Sequence, residues 1–309
     1  MGDHQGHSHS HHRHAEVSGQ ANKKNLWMAF AITGSWMLVE LIGGLISNSL
    51  ALLADSGHML SDWASLGLSL FAITLAQRAA TAKRTYGNYR SEILAAFING
   101  MMLLGIALYI FYEAIQRLID PPEVQSGVML AIAAIGLVAN MLSMWVLMRG
   151  DTRENLNVRS AFLHVFGDAL GSVGAIVAGF LMLFFGWLIA DPIISLVIAV
   201  LIFGSGLRVV RDAVHILMEG TPPMVNLENV EKSLVAIPGV LQVHDLHIWT
   251  ITSGIHTLTC HIVIDQAYKE QSHDILLAAN RWIHDHLGIE HSTIQIEEKD
   301  MRELEHPQI

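Results

Sequence analysis

Two short stretches carry side chains that sit badly in apolar surroundings unless they do something. In Ala54-Asp55-Ser56-Gly57-His58-Met59-Leu60-Ser61-Asp62, and again in Leu163-His164-Val165-Phe166-Gly167-Asp168, a histidine precedes an aspartate by four residues inside an apolar run. On a helix that offset leaves both side chains on one face, a turn apart. Two such helices offer His58, Asp62, His164 and Asp168, a plausible four-coordinate shell for a divalent ion such as Zn2+. Ionisable residues within a membrane span are costly and by default mark function. A lone one can simply hydrogen-bond to a neighbouring helix, but two matched pairs weigh against that. Asp55, one turn before His58, is a secondary candidate, either orienting that imidazole or lining a path. Glu40 and Asn140 are read instead as interhelix hydrogen-bonding groups.

The totals say what holds these helices. The chain has 309 residues, 52% hydrophobic and only 15% charged, with a mean hydropathy of +0.41. That is too apolar for a soluble protein and reads as a polytopic membrane domain plus a soluble remainder. A net charge of -10 with no basic stripe argues against nucleic-acid binding. The single cysteine, Cys260, rules out an intramolecular disulfide framework and suits a cytosol-facing soluble part. No cleavable signal is visible at the start.

Residues 1–25 read as a disordered tail packed with His4, His7, His9, His11, His12 and His14. Such a tract can collect metal near an entrance, or it can be only a flexible tail. Six apolar segments follow, near 26–47, 49–76, 92–115, 126–148, 160–187 and 192–218, each long enough to cross a bilayer. The connection after the second carries Arg78, Lys83, Arg84 and Arg90, and that after the fourth carries Arg149, Arg153 and Arg159. The positive-inside rule then puts both termini in the cytoplasm, with Arg117 the one basic residue against the pattern. Three spans plus three, with a His-Asp pair on the middle span of each half, suggest an inverted repeat with its site at the interface. Antiparallel second and fifth helices would bring His58 to the depth of Asp168, and Asp62 to that of His164. For this either the fifth helix starts before residue 160 or the site sits inward of centre.

From Glu219 the composition is that of a soluble domain, residues 219–309. A helix at 226–237, strands at 240–251 and 255–265 joined by Thr252-Ser253-Gly254, a helix at 272–287 and a strand at 293–297 give a two-layer α+β domain. A hairpin turning at Ser253-Gly254 places His261 near residue 246, hence diagonal to His244 on one face, with His247 pointing away. His291 and Glu297 flank the last strand and could complete a metal site, although surface histidines are common without one.

Taken together, Val39-Glu40-Leu41-Ile42-Gly43-Gly44, Ser49-Leu50-Ala51-Leu52-Leu53-Ala54-Asp55-Ser56-Gly57-His58, His164-Val165-Phe166-Gly167-Asp168, Asp191-Pro192-Ile193-Ile194-Ser195 and Val243-His244-Asp245-Leu246-His247-Ile248-Trp249 resemble the cation diffusion facilitators, a family of zinc/proton antiporters. The likeness covers nearly the whole chain after residue 25. It implies a six-span homodimer in the inner membrane with a cytoplasmic, metallochaperone-like, ferredoxin-like α+β domain, residues 26–218 being the transmembrane part. It also implies His58, Asp62, His164 and Asp168 as the transport site, and His244, His261, His291 and Glu297 as a cytoplasmic site. A histidine at position 58 looks like the zinc-preferring branch. The connection Thr85-Tyr86-Gly87-Asn88-Tyr89-Arg90 lacks the histidine some relatives use for a loop metal site, so no such site is expected.

The expected function is export of Zn2+ from the cytoplasm in exchange for protons, with zinc as cargo and as ligand of the cytoplasmic domain, and no enzymatic activity. Ligand type alone does not separate Zn2+ from Cd2+, Co2+, Ni2+ or Fe2+. Two rivals are an intramembrane metal-dependent hydrolase and a membrane-anchored zinc sensor. Four ligands leave the first no open position for water, and paired intramembrane ligands have no use in a mere anchor.

Overall fold

A computed structural model describes residues 10–76, 81–148 and 156–299; within its helices the side chains of 10–26, 72–76, 145–148 and 156–165, and of 29, 69 and 143, are outside the description. The chain divides into two units, Met1–Thr74 with Ala95–Val210, and Leu75–Leu94 with Arg211–Ile309.

The first unit is built from six helices, α1 (Ser10–Ser47), α2 (Leu50–Ala76), α3 (Arg90–Ile119), α4 (Ser126–Met148), α5 (Leu156–Phe185) and α6 (Ala190–Leu217), of which α2, α3 and α6 each have one end assigned to the second. Among the described residues, four helices are long and apolar enough to cross a membrane: Phe30–Ser47, α3, Phe166–Phe185 and α6. The described apolar part of α4, Ser126–Leu142, is shorter, and α2 is diluted by Asp55, Ser56, His58, Ser61 and Asp62. Large apolar side chains such as Leu45, Ile98, Tyr109, Phe185 and Leu201 stand exposed. That is ruinous in water but natural where lipid is the solvent.

Two of the expected boundaries move. The first helix begins at Ser10, so residues 10–25, read above as a disordered tail, are helical; residues 1–9 lie outside the described residues. Ala15, Glu16, Gln20, Ala21, Lys23 and Lys24 are good helix formers, and an already nucleated apolar helix extends through them at little cost. The fifth helix begins at Leu156, the earlier start that was one of the two alternatives for the depth of His164.

Helix α2 is the centre of the unit. Leu50 and Ala54 pack with Leu103, Ala107 and Ile110 of α3 and Ile198, Ala199 and Ile202 of α6. Ala51 and Leu52, on another face, pack with Met129 and Ala133 of α4 and Ala175, Ala178 and Met182 of α5. The alanines let backbones approach closely, which is how helices associate where no hydrophobic effect drives them together.

The start of α2 is held by Asp191 of α6, which is fully buried. Its carboxylate accepts from the Ser49 hydroxyl at 2.6 Å, from the Leu50 N–H at 2.8 Å and from the Ala51 N–H at 3.1 Å. Orphan amides and the positive end of the helix dipole are satisfied at once. Ser195 donates to the Asp191 carbonyl at 2.7 Å, so the Asp191-Pro192-Ile193-Ile194-Ser195 motif is a helix cap supplied by another helix. Arg117, the exception to the charge pattern, belongs to the same knot. It donates to Glu113 at 2.9 Å and to the Asn48 carbonyl at 2.6 Å, with Asp191 at 4.0 Å. A cation so neutralised has a structural role, and its conflict with the charge rule is local.

The second unit contains α7 (Leu227–Val235), β1 (Val240–Thr252), β2 (Ile255–Ile264), a 3-10 turn (Gln266–Gln271), α8 (Ser272–Leu287) and β3 (His291–Glu297). The expected α-β-β-α-β order holds. The sheet runs β1-β2-β3, antiparallel then parallel, with α8 as the crossover that a parallel pair needs. Asn226 caps α7 by accepting from the Asn229 N–H at 3.1 Å. Val230, Leu234, Ile275, Ala279 and Ile283 pack on Val243, Ile248, Leu258 and Ile262 of the sheet. The first turn of α3 is part of this unit: Glu92 accepts hydrogen bonds from Thr252 and Ser253 at the hairpin tip, and Arg90 pairs with Glu219 at 2.7 Å.

Candidate metal centres

His58 and Asp62 lie one turn apart on α2, their Nε2 and Oδ2 atoms 4.0 Å from each other. The other wall is Asp168 of α5, whose Oδ1 is 3.3 Å from His58 Nε2. One nitrogen and two carboxylate oxygens, drawn from two helices, all fall within 4.8 Å of one another. Ligands on one tetrahedral zinc stand about 3.4 Å apart, given metal–ligand bonds near 2.1 Å. The His58–Asp168 pair already has that spacing, and Asp62 at 4.0 Å from His58 lies little beyond it. Side-chain exposures of 29%, 23% and 20% leave all three within reach of an entering ion. His58 thus meets Asp168, as antiparallel helices require. His164 stands one turn before Asp168 on α5, with its side chain outside the described ones.

Asp55 is buried, with its Oδ1 3.1 Å from the point a Cβ on Gly171 would occupy. Helices α2 and α5 therefore approach closely here because residue 171 has no side chain, a contribution that spacing alone did not reveal. Glu40 departs from expectation. Its Oε1 accepts from the Trp36 indole N–H at 2.8 Å, a partner one turn back on its own helix rather than on a neighbour. The i,i+4 spacing of Trp36 and Glu40 was visible in the sequence, and the nearer partner wins. Asn140 is half-buried on α4. His4, His7 and His9 lie outside the described residues, and His11, His12 and His14 fall in α1 with side chains outside the description.

The second cluster is on the sheet. His244 of β1 and His261 of β2 are direct partners, ring centroids 5.1 Å apart, rather than diagonal neighbours. A bulge between His244 and His247 resets the register; Asp245, at φ 51°, takes the left-handed conformation that short polar side chains tolerate. Glu297 of β3 spans the pair, with Oε2 at 3.2 Å from His244 Nε2 and Oε1 at 3.1 Å from His261 Nδ1. The side chains of Glu297 and His244 are only 1% and 7% exposed, so this carboxylate is fixed in place. Gln295 donates to Glu297 Oε1 at 2.8 Å and orients it; Asp245 Oδ2 lies 3.8 Å from His261 Nε2. Neither residue was singled out by sequence reasoning.

His291 does not join this group. In the parallel β2–β3 register it pairs with Thr257, whereas His261 pairs with Gln295. Four residues of strand separate the two levels by about 13 Å. His291 is exposed and meets the Tyr86 ring edge-on at 6.4 Å. His247 points away as expected, 52% exposed and bonded to Asp245 at 2.9 Å. Cys260, next to His261, faces the core, where burial pushes its thiol up to about 12. It stays protonated at neutral pH, and the thiol form is not the metal ligand.

The chain has relatives. Residues 26–218 match the family model described as the cation efflux transmembrane domain, and residues 222–299 match that of the cation efflux protein cytoplasmic domain. A cadmium, cobalt and zinc/H(+)-K(+) antiporter of Bacillus subtilis is 49% identical over 288 residues, covering 93% of this chain and 91% of that protein. The zinc transporter ZitB of Escherichia coli is 42% identical over 293 residues, covering 94% and 92%. Among solved structures, the metal-bound C-terminal domain of the CzcD transporter from Cupriavidus metallidurans is 44% identical. It spans 24% of this chain and 99% of its own, with a TM-score of 0.22.

Proposed function

The chain belongs to the cation efflux family of transporters, and on that premise we propose that it exports Zn2+ from the cytoplasm in exchange for protons. It is a multi-pass membrane protein and not an enzyme. The observation that carries the reading is the junction of His58 and Asp62 on α2 with Asp168 on α5. His164 supplies the fourth ligand, from the same face of α5 as Asp168. Ligation needs neutral imidazole and ionised carboxylate, so zinc and protons compete for the same side chains. Zinc loads from the cytoplasmic side; once the site opens outward, protons displace it. Cd2+ and Co2+, cargo in the name of the Bacillus relative, are secondary substrates.

The rest of the reading follows from this. Six spans in the inner membrane place both termini in the cytoplasm, and the C-terminal domain pairs two copies into a homodimer. His244, His261 and Glu297 hold a second zinc, with His291 outside that set. The histidine tract at 4–14 collects metal, and no nucleic acid is involved. The hydrolase and sensor readings keep no observation of their own once the family is known. Zinc uptake into inverted vesicles under a pH gradient tests the proposal. His58→Ala and Asp168→Ala should each abolish uptake, and wild-type uptake by both would end it.

A further inference from the structure

The chain carries a net charge of -10, yet one cavity gathers cations. It lies wholly within the second unit, with a volume of about 640 Å3. Lys83, Arg84 and Arg90 line it against a single acid, Glu219. Arg90 is taken up by Glu219 at 2.7 Å, whereas among the described residues the Arg84 guanidinium meets the neutral amide oxygen of Asn88 and no carboxylate. Among the described residues no ion pair engages Lys83. Two cations that no described carboxylate compensates therefore share one concavity, and they attract an anion.

The remaining wall narrows the kind of anion. Tyr86, Leu94 and Trp249 also line the cavity, as does Leu217. Leu94 lies one turn into α3 and Leu217 ends α6, both helices long and apolar enough to cross a membrane. The cavity is thus built where spanning helices end. Lysine, arginine, tyrosine and tryptophan at that level are the residues that meet lipid headgroups. Membrane orientation alone would call for the charges of this connection but not for an aromatic and aliphatic wall around them. A free phosphate ion would gain from the cations and nothing from that wall.

We propose that this cavity binds the phosphate of an anionic phospholipid, with Lys83 and Arg84 taking the headgroup and Tyr86, Leu94 and Trp249 covering its glycerol and first acyl carbons. The test uses the full-length protein in detergent. Retention of phosphatidylglycerol is measured against phosphatidylcholine by native mass spectrometry, with inorganic phosphate as competitor. Wild type should retain phosphatidylglycerol preferentially, and K83Q/R84Q should lower its affinity by about fivefold per cation removed. K269Q, which neutralises an exposed lysine paired with Glu298 outside the cavity, should leave it unchanged. Should the double variant melt early, K83Q alone carries the test, since no ion pair among the described residues is lost with it. Equal retention of the two lipids, or a wild-type preference in K83Q/R84Q, overturns the proposal. Full displacement of the lipid by millimolar inorganic phosphate would identify a soluble phosphate as occupant and overturn it equally.

Discussion

His58 Nε2 lies 3.3 Å from Asp168 Oδ1, and it is the only nitrogen among the described donors of that site. Exchanging nitrogen for oxygen there alters which metal is preferred. His58→Asp should therefore lower the zinc-to-cadmium flux ratio in vesicles; an unaltered ratio would detach selectivity from this residue. In the second unit, His261→Ala should remove one zinc-binding event in equilibrium dialysis of the full-length protein. The wild-type event there should weaken on acidification, because protons compete with the ion for its donor atoms. Binding that ignores pH would argue for carboxylates alone. At this scale the sequence was most readable where a helix carried the information. Four residues on a helix fix a shared face, so His58 with Asp62 needed no coordinates. On the strands, parity identified the face of His244 and His261, but no sequence rule located the bulge at Asp245. Nor did one assign His291 to a level about 13 Å from the cluster.

Helices expected from apolar runs are present, and their errors have plain causes. α1 overran its apolar segment because the polar residues before it favour helix, and α5 begins at Leu156, ahead of its apolar run. What remained hidden was the fastening of one element to another. Asp191 was visible as a motif, but its bonds to Ser49, Leu50 and Ala51 lie more than a hundred residues away in the chain. Asp191→Ala leaves two buried N–H groups and a hydroxyl without their acceptor. It should cost about 2 kcal/mol or more and lower the melting temperature in detergent. It should also lower zinc flux, since α2 carries His58 and Asp62. A variant that melts like wild type would show that the cap is dispensable.

For the molecule as a whole, the proposed function makes a division of labour between the two clusters: cargo ligands between helices of the first unit, and a fixed triad on the sheet of the second. The two triads differ in character. Glu297 is sealed and braced by Gln295, as suits an ion that stays, whereas His58, Asp62 and Asp168 are each a fifth or more exposed, as suits one that leaves. The Asp191 knot bears on how release is achieved. A rod clamped at one tip moves least at the clamp and most at its far end. His58 lies about 12 Å along α2 from Leu50, given 1.5 Å of rise per residue. A swing of about ten degrees would carry its imidazole about 2 Å, enough to take a zinc–nitrogen bond from closed to broken. The same swing would leave the amides of Leu50 and Ala51 on their carboxylate, so unloading the ion and preserving the fold become compatible.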